Sequence, residues 1–234
     1  IMITALVGMV VAPGPALGWA QVLVLALSVL VASASAGAFN QYVEYKSDQL
    51  MARTRKRAFV TGALPHHPAW LVLMAAMLAG AVAAAWLVLN GAAAVYVFLG
   101  AFFYAFVYTV WLKRRSSMNI VIGGLAGSFA VLAGAAAVDP ALGPLPLLLA
   151  LVLFLWTPPH FWALAIANRA DYAEAGVPML PVVVGSERAA RIVLVSTVAL
   201  LVASLLPMFW GAGVVYLVGA LGGGLHFVHK AWLL

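Results

Sequence analysis

A chain of 234 residues with 66% hydrophobic and 8% charged residues, and a mean hydropathy of +1.12, cannot be a water-soluble globule, because so few charges cannot cover so large a core. The composition is that of an all-α, polytopic membrane protein. Its formal net charge of +6 then bears on topology before nucleic acid, and the lack of cysteine excludes disulfides and thiolate metal sites.

A bilayer-crossing helix needs about 20 apolar residues, and polar breaks divide the chain on that scale. Residues 1–11 begin within an apolar run, read as the tail of a first span without a cleavable signal, and end at Pro13-Gly14-Pro15. Further spans are expected over 17–39, 69–89, 92–112, 119–138, 145–167, 192–210 and 214–232. The breaks between them include Asn90-Gly91 and Asp139-Pro140. Two connections, 40–68 and 169–191, exceed the usual few residues between helices, a size at which loops tend to be functional. Both carry acids at a helix exit, a hint of a diverged internal duplication.

With alternating spans, all 12 basic residues fall on one side, which the positive-inside rule makes cytoplasmic. Of the acids only Asp139 lies opposite. Orientation alone does not require so complete a segregation.

Four constellations stand out, the first three on that side. In residues 40–57, Asn40, Glu44 and Asp48 are spaced by four and share a helix face. Lys46, Arg53, Arg55, Lys56 and Arg57 accompany them. A solvated helix end with its acids paired to Lys46 or Arg53 is the plain alternative. Ionisable groups beside a span are costly, however, and suggest function. Carboxylates and an amide oxygen suit Mg²⁺. On a straight helix Asn40 and Asp48 are about 12 Å apart, so they need two ions, or one ion and a helix that ends near Glu44. The second constellation runs from Tyr108 through Lys113, Arg114 and Arg115 to Asn119. It reads either as a topological anchor or as phosphate donors, with Lys a point charge and Arg a bidentate fork. The third holds Asn168, Arg169, Asp171 and Glu174, ended by Gly176 and Pro178; a second acidic cluster on the same side could complete a two-metal clamp. The fourth is Trp156-Thr157-Pro158-Pro159-His160 within the sixth span, where the prolines free backbone carbonyls. His160 could be a haem ligand, a proton acceptor or a buried hydrogen-bonding residue. Gly123, Gly124 and Gly127 fit close helix packing better than phosphate binding.

Together these residues resemble the UbiA superfamily of intramembrane prenyltransferases, and within it the haem O synthase branch. Asn40-x-x-x-Glu44-x-x-x-Asp48 followed by Met51-x-Arg53-Thr54 resembles the first aspartate-rich motif. Residues 108–115 resemble the basic motif. The continuation at 119–124, the 156–162 stretch and the 171–181 stretch are similar to motifs of the haem branch. The family usually has nine spans, so this chain, a single prenyltransferase domain over 1–234, is expected to be trimmed at both ends. It departs from the family pattern at Ala58-Phe59-Val60 and at Ser128-Phe129-Ala130-Val131.

The resemblance implies transfer of farnesyl from farnesyl diphosphate to a vinyl group of haem b, with water addition, giving haem O. It implies Asn40, Glu44, Asp48 and Asp171 as catalytic residues, and Mg²⁺ held by these with Asn168. Arg53, Arg57, Tyr108, Lys113, Arg114 and Asn119 would hold the diphosphate, and His160 and Trp156 the haem. It further implies a bacterial inner-membrane location with a cytoplasmic-facing site, and contact with haem A synthase or oxidase assembly partners. Nucleic acid is not expected. Competing readings are a sister prenyltransferase with a quinone or chlorophyll-precursor acceptor, a haem or anion transporter, and an inert assembly partner. A transport pathway would place ionisable groups at mid-membrane and on both sides, which this charge pattern does not.

Overall fold

Within hydrocarbon every backbone polar group must bond internally, so apolar stretches that span a bilayer become helices. The computed structural model describes residues 1–234 and contains helices without strands. In chain order these are α1 (Met2–Val11), α2 (Trp19–Val43), α3 (Tyr45–Asp48), α4 (Ala58–Thr61), α5 (Ala69–Val88) and α6 (Gly91–Phe102). A π-helix, Phe103–Leu112, continues α6. Then come α7 (Asn119–Gly123), α8 (Leu125–Val138), α9 (Pro144–Ala167), α10 (Arg169–Glu174), α11 (Leu180–Val184) and α12 (Ser186–Leu205). A 3₁₀ turn, Leu206–Trp210, leads to α13 (Val214–Trp232).

Six of these helical rods are long and apolar enough to cross a membrane. Large apolar side chains such as Trp19, Leu87 and Val215 face outward, each more than four-fifths exposed. On a soluble protein so broad an apolar surface would aggregate; here it is the lipid-facing surface of an integral membrane protein. Glycines 222–224 and two histidines dilute the hydropathy of α13.

Several expected elements differ in detail. The 119–138 span is interrupted at Gly124, between α7 and α8. The second half of 92–112 is π rather than α. The expected 192–210 span starts earlier, at Ser186, because Glu187 suits the positive end of a helix and pairs with Arg191 one turn on. That shortens the 169–191 connection and folds it into α10 and α11. The 40–68 connection likewise contains α3 and α4 rather than open loop. Pro158 and Pro159 are buried within a helix that continues through them.

Two cores hold the bundle. One, between α1, α2, α5, α6 and α8, is mostly alanine. Small side chains let helix backbones approach closely where no hydrophobic effect drives them together. The limit is reached between α1 and α8: a Cβ on Gly134 would stand 1.7 Å from the Ala5 carbonyl oxygen, and one on Gly8 2.1 Å from that of Val131. The second core, built on Trp162, Tyr172, Met179 and Val193, packs α9 through α12 beneath the charged rim. At the opposite rim Asn90 caps α6 by accepting from the Ala93 amide at 2.9 Å, and donates to the Ala136 carbonyl at 2.7 Å.

Gly134→Ala forces α1 from α8 and is expected to destabilise by about 1–3 kcal/mol. Gly222→Ala, whose Cβ meets nothing within 4 Å, should not lower the melting temperature. Thermal unfolding of both variants in detergent checks this.

Candidate active site

The site begins where α2 stops. Glu44, at φ −89° and ψ 3°, ends that helix, yet its amide still donates to the Asn40 carbonyl and its own carbonyl accepts from the Asp48 amide, both at 2.9 Å. The face is therefore bent rather than straight, which is the condition stated above for Asn40 and Asp48 to serve one ion. The bend divides the three side chains. Asn40 and Asp48 line a cavity of about 720 Å³, and Glu44 turns away from it.

On the cavity side, Arg57 Nη1 lies 2.7 Å from Asp48 Oδ2 and 3.4 Å from Asn40 Oδ1. Two oxygen donors thus converge on one cationic nitrogen. Asn40 is held by Thr109: its Nδ2 donates to the Thr109 hydroxyl at 3.0 Å, and that hydroxyl donates to the Tyr104 carbonyl at 2.8 Å. This last bond spans five residues, the spacing of the π-helix, as does the 2.9 Å bond from the Lys113 amide to the Tyr108 carbonyl. The π segment also stacks Tyr104 on Tyr108, ring centroids 5.6 Å apart. Gly123 makes room for the Tyr108 ring, which a Cβ would meet at 2.8 Å.

Behind the wall, Glu44 is 2% exposed and pairs with Lys113. Arg114 Nη2 stands 3.5 Å from its other oxygen, and donates to Ser47 Oγ at 2.7 Å. Lys113 is itself buried but reaches the cavity. Asn119, 0% exposed, donates from Nδ2 to the Lys113 carbonyl at 3.0 Å, leaving Oδ1 buried without a partner. It sets Lys113 from behind rather than lining the cavity.

One hydrogen bond from a backbone amide ties the stretch after Asp48 to the 168–191 region. The Ala52 amide donates to Asp171 Oδ2 at 3.1 Å. Asn168 is occupied with the Leu164 carbonyl at 2.8 Å. Neither Asn168 nor Asp171 lines the cavity, whose wall at that point is Tyr172. Arg53, Arg57 and Lys113 make one end basic, whereas Val131, Leu149, Val152 and Leu153 make the other apolar. Trp156 faces the apolar end. His160 stacks on it, centroids 4.3 Å apart, but is exposed and lies off the cavity wall. Of the expected residues the structure therefore gathers Asn40, Asp48, Arg53, Arg57, Tyr108, Lys113 and Trp156 on one cavity wall. It sets Glu44, Arg114 and Asn119 behind them and Asn168 and Asp171 at the lip. Thr109 and Tyr172 lie inside the 108–115 and 171–181 stretches but had no role assigned from the sequence, and Tyr104 and Ser47 had none either; the i+3 spacing of Ser47 from Glu44 is the signal that could have found Ser47.

No three carboxylates or imidazoles surround one point. The donors that do converge, Asn40 Oδ1 and Asp48 Oδ2, are hard oxygens already meeting a cation. That donor set fits Mg²⁺, which binds few protein oxygens and completes its shell with water and phosphate.

Glu44→Gln strands Lys113 in a buried position, and removing one partner of a buried pair costs about 3–5 kcal/mol. A clear fall in melting temperature is expected, whereas Glu187→Gln, from an exposed pair, should leave it unchanged.

The UbiA prenyltransferase family model matches residues 1–234. A relative from Paramagnetospirillum magneticum named protoheme IX farnesyltransferase 2 is 54% identical over 98% of this chain and 80% of its own length. A protoheme IX farnesyltransferase from Hahella chejuensis is 40% identical over 99% of this chain and 77% of its own. Among solved structures, a UbiA homolog from Archaeoglobus fulgidus bound to DMAPP and Mg²⁺ superposes with a TM-score of 0.82 at 18% identity, covering 99% of this chain and 81% of that one. The chain belongs to the UbiA prenyltransferase family.

Proposed function

We propose that the protein transfers the farnesyl group of farnesyl diphosphate to a vinyl group of haem b, with addition of water, to give haem O. The observation that carries this is one cavity with a basic end and an apolar end, in a chain 54% identical to a protein named for that reaction. The cations suit a diphosphate, and the apolar end suits an isoprenoid and a macrocycle.

Arg53, Arg57 and Lys113 bind the diphosphate at the cavity rim. Arg114 and Asn119 support Lys113, the one by sharing Glu44 and the other through the Lys113 carbonyl. Tyr108 closes the wall beneath. Asn40 and Asp48 would hold Mg²⁺, with the carboxylates of Glu44 and Asp171 and the amide of Asn168 lying behind the cavity wall. Mg²⁺ supplies charge neutralisation for the departing diphosphate. The allylic C–O bond breaks with its electron pair leaving on the diphosphate, and the vinyl carbon forms the new C–C bond. Water then adds to the resulting cation and loses a proton. Val131, Leu149, Val152 and Leu153 keep water from the allylic carbon until that bond forms. Trp156, with His160 stacked on it, flanks the space available to the macrocycle. Residues 1–234 act as one prenyltransferase domain, set in the bacterial inner membrane with the basic rim toward the cytoplasm. Haem A synthase or oxidase assembly factors would receive the product.

Haem extracted from cells expressing the protein should gain the mass of one hydroxyfarnesyl addition. Asp48→Asn and Arg57→Ala should each lower turnover about 100-fold or more. Unchanged haem from the parent protein overturns the reading. For orientation, Arg55→Cys in this cysteine-free chain should react with a membrane-impermeant maleimide from the cytoplasmic face alone. Labelling from the outer face of intact spheroplasts reverses the topology.

A further inference from the structure

A cluster of rings outside the cavity bears on Arg57, and its role rests on the diphosphate reading above. The His66 ring stacks on Tyr42 with centroids 3.9 Å apart and planes 13° from parallel. It also leans on Tyr45 at 4.1 Å, and its Nε2 lies 2.9 Å from the Tyr42 carbonyl oxygen. Phe59, 7% exposed, meets Tyr42 edge-on at 5.5 Å and Trp70 at 5.9 Å. Trp70 Nε1 donates to the Pro65 carbonyl at 3.0 Å. Five rings thus join the exit of α2, the short α4 and the approach to α5, none of them on the cavity wall.

Arg57 stands where this cluster acts. It caps α4, and its carbonyl accepts from the Val60 and Thr61 amides at 3.0 and 2.9 Å. A helix of four residues has no stability of its own, so something outside α4 must fix it. Phe59, two residues beyond Arg57, is the buried side chain of α4 and is gripped by the other rings. The long Arg57 side chain reaches Asp48 and Asn40 only while its backbone is held there. Residues 58–60 are also where the sequence departs from the family pattern.

We propose that the ring cluster is a clasp that positions Arg57: it holds α4 against the end of α2 so that the guanidinium stands at the rim where the diphosphate binds. Phe59 and His66 are positioning residues that act through Arg57 without touching substrate.

The test is calorimetric binding of inorganic pyrophosphate with Mg²⁺ to the full chain in nanodiscs. Phe59→Ala should weaken binding about tenfold, since small misplacements of a binding group are costly, and Phe59→Tyr should restore it. His66→Ala, at an exposed position, should weaken binding in the same direction and covers the case in which Phe59→Ala fails to fold. On an Arg57→Ala background neither substitution should weaken binding further, because residues acting through one group are not additive. If parent protein binds but the clasp variants bind equally well, the clasp is overturned and the diphosphate reading stands. Equal weakening with and without Arg57 marks a general structural role and overturns it too. If parent protein does not bind, the diphosphate reading falls and the clasp with it.

Discussion

The rim of this bundle depends on keeping buried acids paired. Taking a carboxylate or an ammonium out of water costs several kcal/mol after relaxation, and only close opposite charge and hydrogen bonds repay it. Glu44 and Asp48, each 2% exposed, are deeply enough buried for that cost to apply. Lys113 and Arg57 answer it. Because each pair joins distant parts of the chain, the pairing also decides which elements meet. The Glu44 pair brings the end of the π segment to the end of α2. The Asp48 pair folds the connection that carries Arg57 back over α3. The site is thus a local consequence of burying charge at a helix exit.

The same pairing has a functional side. The cations that suit a diphosphate are, without one, engaged by the acids that suit a metal. Asp48 with Arg57, and Glu44 with Lys113, pair within the rim, and Arg53 adds a further positive charge on the cavity wall. A metal–diphosphate presents both signs and can exchange partners with both sets, whereas a bare anion can satisfy only one.

Much of this was legible in the sequence because it rests on composition and spacing. Of the eight apolar stretches six became rods able to cross a membrane, and the four-residue spacing of Asn40, Glu44 and Asp48 pointed to the buried polar groups at the end of α2. The glycines at 123, 124 and 127, read as packing residues, stand against Tyr108, Thr157 and Leu153 and also line the cavity. What spacing could not convey was direction. Periodicity puts Glu44 on the face of Asn40 and Asp48, but a break at Glu44 itself sends its carboxylate elsewhere, and no residue there signals a break. His160 sits in a telling motif yet stacks outward on Trp156, because a single residue's face depends on which neighbours the helix meets. The roles of Thr109 and Tyr104 depend on the π turn, for which the apolar aromatic run Phe103–Leu112 carries no mark. The ties of Asp171 to Ala52, and of Asn119 to Lys113, are made by backbone groups, which sequence patterns do not single out.

The π turn sets phase. An α-helix advances about 100° per residue, so a segment whose bonds run from five residues on turns its later side chains relative to an α continuation of α6. In this wound state Tyr108 and Lys113 reach the cavity wall and Thr109 meets Asn40. Rewinding Phe103–Leu112 as α would swing Lys113 off Glu44 and Thr109 off Asn40 together, while leaving the lipid-facing half of α6 untouched. One local winding thus governs two partners at the end of α2, the ion-pair partner of Glu44 and the hydrogen-bond partner of Asn40.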